Sequence, residues 1–213
     1  MTPLEILLSN GVDKDVPNLR QSINMFISSL RKAFHFLLDI AQTLVLSIVF
    51  FIVIWFFFFR PFQVNGLSMF PTFKDKEYVL ANIIGTHFSS PKHGDVVVFK
   101  APPNNEQDFI KRIIGIPGDK IMIKNGYVYV NGLIIDENKY LKADVKTYGG
   151  AFLKEAQEIT IPPDQYVALG DNRMYSSDSR EWGFVPKDFI IGKSFFAYWP
   201  LEDMQIIKNP YSN

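Results

Sequence analysis

Three polar stretches of this chain carry the side chains that could do chemistry. The first is Asn65-Gly66-Leu67-Ser68-Met69-Phe70-Pro71-Thr72. The second, residues 108–119, contains Asp108, Lys111, Arg112 and Asp119. The third, residues 170–183, is dense in polar groups: Asp171, Asn172, Ser176, Asp178, Arg180 and Glu181. Polar loops on a β scaffold are common places for sites, although composition alone equally describes a solvated loop. Lys111 is the odd residue, because strand alternation puts Phe109 and Ile113 on its own face. A lysine there is either an edge residue reaching water or a buried amine whose lost hydration favours the neutral form. To be half neutral near pH 7.5, its pKa must fall from ~10.4 by roughly three units, at a cost of about 4 kcal/mol. A neutral amine can take the proton of a serine hydroxyl, so the chemistry in view is nucleophilic attack by a serine.

Other chemistries lack their residues. There is no Cys, which removes disulfides, thiolate metal sites and a thiol nucleophile. His35, His87 and His93 are scattered, with no H-E-x-x-H pair. The context of Ser68 lacks the second Gly of a G-x-S-x-G elbow, and Pro71 occupies the Lys position of an S-x-x-K motif. Asp171, Asn172 and Asp178 lack the spacing and closing Glu of a calcium loop. No phosphate-binding loop is present, so neither a metal nor a cofactor is expected. Basic and acidic side chains balance at 22 each, so no large field favours nucleic acid.

The elements around these stretches fall into three parts. Residues 41–59 carry no charge and, with Leu37 and Leu38, are long enough to cross a hydrocarbon layer of roughly 30 Å as a helix. No small-x-small cleavage pattern follows, so the segment is expected to stay attached as an anchor. Before it, Ile23, Phe26, Ile27, Leu30 and Phe34 share a helix face, which suits either a membrane surface or a packing partner. Arg31 and Lys32 precede the anchor and Arg60 follows it, so the positive-inside rule favours a cytoplasmic N-terminal side by a narrow margin. After Arg60 come short runs rich in Val, Ile, Tyr and Phe at residues 77–84, 95–100, 109–114, 120–123, 127–130, 165–169 and 194–199. Asn125-Gly126 and Asn131-Gly132 are two-residue hairpin signals. Residues 186–190 suggest a short helix, and residues 136–164 read as a surface excursion. The expected architecture is mostly β: a cytoplasmic segment 1–36, a single transmembrane helix 37–59 and an extracytoplasmic, all-β catalytic domain 60–213.

The chemical stretches resemble the boxes of the type I signal peptidases, the bacterial leader peptidases with a Ser-Lys dyad. Ser68-Met69-Phe70-Pro71-Thr72 resembles the nucleophile box S-M-x-P-T, and Gly94-Asp95-Val96-Val97-Val98-Phe99 the G-D-[VI]-V-x-F strand. Lys111-Arg112-Ile113-Ile114-Gly115 through Asp119 resembles the lysine box. Gly170-Asp171-Asn172 with Ser176, Asp178, Ser179, Arg180, Trp182 and Gly183 resembles the last box. All four occur in family order across roughly residues 60–200.

The resemblance implies a serine endopeptidase that cleaves signal peptides from secreted preproteins after small-x-small sites. In that reading Ser68 attacks and Lys111 is the base, while Ser176 hydrogen-bonds the Lys111 amine and an Asp178–Arg180 pair stiffens the loop. Phe62, Val64, Gly66, Met69, Phe109 and Ile110 would bind substrate in shallow apolar pockets. The oxyanion hole would use the Ser68 N–H, and Gly66 stands where some members offer a second hydroxyl. Implied partners are signal peptides, the lipid bilayer of the bacterial cell membrane and the export machinery. Ser68 follows Phe59 by nine residues, close to where a cleavage site emerges from a membrane. Phe62, Phe70 and Phe73 suit either the interface or the core. Competing readings are a self-cleaving repressor-type Ser-Lys protease, which should lack an anchor, and an inactive membrane-tethered peptide-binding module, which needs neither Ser68 nor Lys111.

Overall fold

A computed structural model describes residues 15–212, so residues 1–14 of the expected N-terminal segment lie outside the described residues. The chain divides into two compact units, residues 1–55 and 56–213.

The first unit is helical. Helix α1 runs without a break over Asp15–Phe58. The amphipathic stretch and the apolar run therefore form one rod, since no Gly or Pro interrupts residues 18–58. Its segment Arg20–Trp55 is long and apolar enough to cross a membrane, and none of its residues is buried. The helix stops one residue short of the expected end, and Phe59 opens the first strand instead.

The second unit is built on two antiparallel sheets. The larger joins β1 (Phe59–Gln63), β2 (Tyr78–Asn82), β3 (Val96–Ala101), β4 (Asn104–Gly115), β9 (Gln165–Leu169), β10 (Val185–Pro186), β11 (Ile190–Trp199) and β12 (Gln205–Ile206). Its order is β1-β2-β11-β3-β4-β9-β10, with β12 on β11. The smaller joins β5 (Lys120–Lys124), β6 (Tyr127–Val130), β7 (Leu133–Ile134) and β8 (Ile159–Thr160) in the order β7-β6-β5-β8. Both Asn-Gly pairs turn its hairpins, with positive φ at Asn125, Gly126, Asn131 and Gly132. Strands β5 and β6 alternate, sending Ile121, Ile123, Val128 and Val130 into one core, shared with Leu153, Ile161, Val167 and Leu169.

One expectation needs correction. Residues 136–164 are not merely a surface excursion: Leu141, Leu153 and Ile161 are buried, and Ile159–Thr160 pairs with β5. The short helix expected at residues 186–190 is present as a 3-10 helix, Lys187–Phe189, confined between β10 and β11 because Val185 and Ile190 belong to strands that pack with Phe99 and Tyr166.

Candidate active site

Lys111 sits on β4, an interior strand paired to β3 and β9. The edge alternative is thereby removed: the residue is only 4 % exposed. Its neighbours on the strand turn the amine inward, with Nζ 5.0 Å from the Phe109 ring centroid and donating to the Ile110 carbonyl at 3.0 Å. Nζ stands 2.8 Å from Ser68 Oγ, across 43 residues of sequence.

Ser68 is held by the turn that carries it. Phe70 N–H donates to Leu67 O and Phe73 N–H to Met69 O, and the buried side chains of Met69 and Phe73 plug the turn into a core with Val64, Val79 and Val96. The third stretch grips it from the other side. Asn172 donates its backbone N–H to Ser68 O and its side-chain amide to Leu67 O, both at 3.0 Å. Gly66 N–H donates to Asp75 Oδ1 at 2.6 Å. Among the described residues nothing accepts a hydrogen bond from the Ser68 N–H. Gly170 has to be glycine, since an added Cβ would stand 2.2 Å from Ser176 Oγ and 2.4 Å from Ser68 O.

Two buried ion pairs frame the amine. Asp178 and Arg180 pair as expected, at 2.8 and 2.9 Å. Asp178 also caps α2 (Ser179–Trp182) through Arg180 N–H and accepts from Gly170 N–H, while Arg180 donates to Arg173 O. The second pair was not foreseen: Arg112 grips Asp171 at 2.9 and 2.6 Å, and Thr72 donates its hydroxyl to the same carboxylate. Nothing in the spacing links Arg112 and Asp171, which lie 59 residues apart, although both fall inside the quoted boxes. Each carboxylate is thus committed to its own arginine. Among the described residues no acid forms a salt bridge with Lys111. Burial pushes the Lys111 amine down to about 8, and the fields of Asp178 and Asp171 limit the fall.

Ser176 does not make its expected contact. Its Oγ is buried without a hydrogen-bond partner, packed against Gly170 rather than bonded to the Lys111 amine.

A groove of ≈ 260 Å³ opens onto the pair, and of the six expected binding residues it takes in Phe62, Val64, Gly66, Phe109 and Ile110. Met69 is the exception: fully buried, it supports the wall from behind. Val79, Val98, Asp108, Tyr175 and Ser177 also line the groove, a place the sequence does not assign to them. They come from four separate segments, so no local pattern gathers them. A larger hollow of ≈ 690 Å³ lies near Pro91, Gln165 and Pro186, but its titratable groups, Asp164, Lys187 and Asp188, are all exposed.

Residues 37–199 match the family described as "Signal peptidase, peptidase S26". The chain is 37% identical over 185 residues to Signal peptidase IB of Staphylococcus aureus, covering 82% of this chain and 95% of that protein. It is 35% identical over 169 residues to the Probable signal peptidase I-2 of Synechocystis, covering 77% and 74%. A solved signal peptidase I from Enterococcus faecalis aligns with a TM-score of 0.41 at 27% identity, over 49% of this chain and 97% of that one. The class is a serine endopeptidase. The chain belongs to the signal peptidase family, peptidase S26.

Proposed function

We propose that the chain is a membrane-anchored endopeptidase that removes N-terminal signal peptides from exported preproteins after small-x-small sites. The observation that carries this reading is the 2.8 Å approach of a buried, partner-poor lysine amine to a serine hydroxyl. In its neutral form Lys111 accepts the Ser68 proton as Oγ bonds to the scissile carbonyl carbon. The negative charge on the carbonyl oxygen is met by the free Ser68 N–H, a contribution worth about 3 kcal/mol for one donor. The carbon–nitrogen bond then breaks, and the protonated Lys111 returns its proton to the leaving amine of the mature chain. Water, deprotonated by Lys111, attacks the acyl ester, and Ser68 leaves with the proton.

The supporting residues act through this pair. Asp178 and Arg180 hold the loop that carries Ser176, and Ser176 Oγ, which lacks another partner, turns to the Lys111 amine during turnover. The signal peptide lies extended in the groove, with small side chains against Phe62, Val64, Phe109 and Ile110 and its backbone hydrogen-bonded to strand edges. Gly66 offers no side-chain donor, so any second oxyanion contact comes from backbone or water.

Residues 37–59 anchor the chain as a single pass in the bacterial cell membrane, with residues 60–213 outside and the export machinery beside them, a placement supported by the apolar span and by Arg31 and Lys32. The test is cleavage of a preprotein in vitro by the full chain in detergent. Cleavage should vanish in Ser68→Ala and in Lys111→Arg, because arginine stays charged. Unchanged processing by Lys111→Arg would refute the lysine base.

A further inference from the structure

A segment far from Ser68 in sequence is built into the support of its turn. Asn209 donates through Nδ2 to His93 O at 2.8 Å and to Asp95 Oδ1 at 2.6 Å, and its Oδ1 receives the Tyr211 N–H at 2.8 Å. The segment is pressed onto Gly94. A Cβ there would stand 2.7 Å from Asn209 Oδ1 and from a Tyr211 ring carbon. Gly94 O accepts from Arg112 Nη1 at 2.9 Å. The Tyr211 hydroxyl donates to Asp136 O at 3.0 Å, and its ring stands edge-on to Tyr140 with centroids 6.4 Å apart. The Arg112 Cζ in turn lies over the Tyr140 ring, 4.2 Å from its centroid. Arg112 therefore has two props, the Gly94 carbonyl and the Tyr140 face, and the Asn209–Tyr211 segment backs both.

We propose that Asn209 and Tyr211 form a strap that positions the nucleophile turn through Arg112. Arg112 fixes Asp171, the neighbouring Asn172 holds the carbonyls of Leu67 and Ser68, and the shared Thr72 hydroxyl ties the far side of the turn to the same carboxylate. The strap touches no part of the groove, and its residues are positioning residues. Loosening it shifts Ser68 relative to the Lys111 amine, which slows the chemical step, while Phe62, Val64, Phe109 and Ile110 keep their places and substrate affinity stays the same. The inference rests on Ser68 being the nucleophile.

The test uses the full chain in detergent with a signal-peptide substrate, and rates are normalised to folded protein by near-UV circular dichroism. Tyr211→Ala should lower kcat at least tenfold with KM within twofold, and Tyr211→Phe, which keeps the ring, should hold kcat within threefold of the parent. In a Tyr140→Leu background, where the ring between Tyr211 and Arg112 is gone and only the Gly94 prop remains, Tyr211→Ala should lower kcat no more than threefold. A merely structural role would give the same loss in both backgrounds. Should Tyr211→Ala fail to fold, Asn209→Ala decides, with an expected fall in kcat of at least threefold at constant KM. An unchanged kcat in these variants, or a full loss persisting without Tyr140, overturns the strap. Cleavage surviving in Ser68→Ala would instead overturn the nucleophile assignment.

Discussion

Replacing Lys111 with Met should make the protein more stable near neutral pH while abolishing cleavage. The two side chains have similar volumes, so the core should close around the thioether with little strain. Burial lowers the amine from 10.5 to about 8, which corresponds to about 3 kcal/mol against the charged form at 1.36 kcal/mol per pH unit. The unfolded chain binds the proton more tightly than the folded one. Below pH 8 the whole penalty is therefore present, and wild-type stability rises as pH climbs from 8 towards 10.5. Met also removes hydrogen bonds to Ile110 O and to Ser68 Oγ, worth about 1 kcal/mol each. The net gain at pH 7 is then about 1 kcal/mol, or a few degrees in unfolding temperature for a chain of this size. Thermal unfolding of both full-length proteins in the same detergent, at pH 7 and at pH 10, measures it. The gap should be present at pH 7 and closed or reversed at pH 10. A Met variant less stable than wild type at pH 7, or a gap indifferent to pH, would refute the claim that burial holds the amine down.

Other outcomes follow from the two ion pairs and from Ser176. Asp171→Ala leaves the Arg112 guanidinium buried without its carboxylate and should destabilise by about 3–5 kcal/mol in denaturant unfolding. Asp178→Asn removes the strongest charge holding the Lys111 amine up, so the acid limb of the rate profile should move to lower pH in whatever fraction folds. Ser176→Ala deletes an unpaired buried hydroxyl and should leave the unfolding temperature within about 2 °C, yet kcat should fall if Ser176 orients Lys111 during turnover; an unchanged kcat removes that role.

What could be read from the chain alone follows the range of each interaction. Local turn chemistry announced the Asn125-Gly126 and Asn131-Gly132 hairpins, and short runs of Val, Tyr and Phe announced Val96 to Phe99 and Tyr127 to Val130. The polar start of β4, Asn104 to Asp108, carries no apolar pattern and was missed because that half of the strand is exposed. The beginning of β11 hid behind Pro186, whose fixed φ suits a helix start as well as a strand. At the site, spacing marked Lys111 as odd but did not decide between edge and interior, because that depends on β9 pairing from more than fifty residues away. The resemblance to the four boxes supplied the rest. The Arg112–Asp171 pair and the Asn172 grip on Leu67 and Ser68 are long-range contacts that become visible only in the fold.

The central claim, that Ser68 is activated by a neutral Lys111, is tested most directly by the pH dependence of kcat/KM for a single signal-peptide substrate cleaved by the full chain in detergent. With the amine lowered to about 8, kcat/KM should fall about tenfold for each pH unit below 8 and level off above it. A rate that stays flat down to pH 5 would contradict a lysine base.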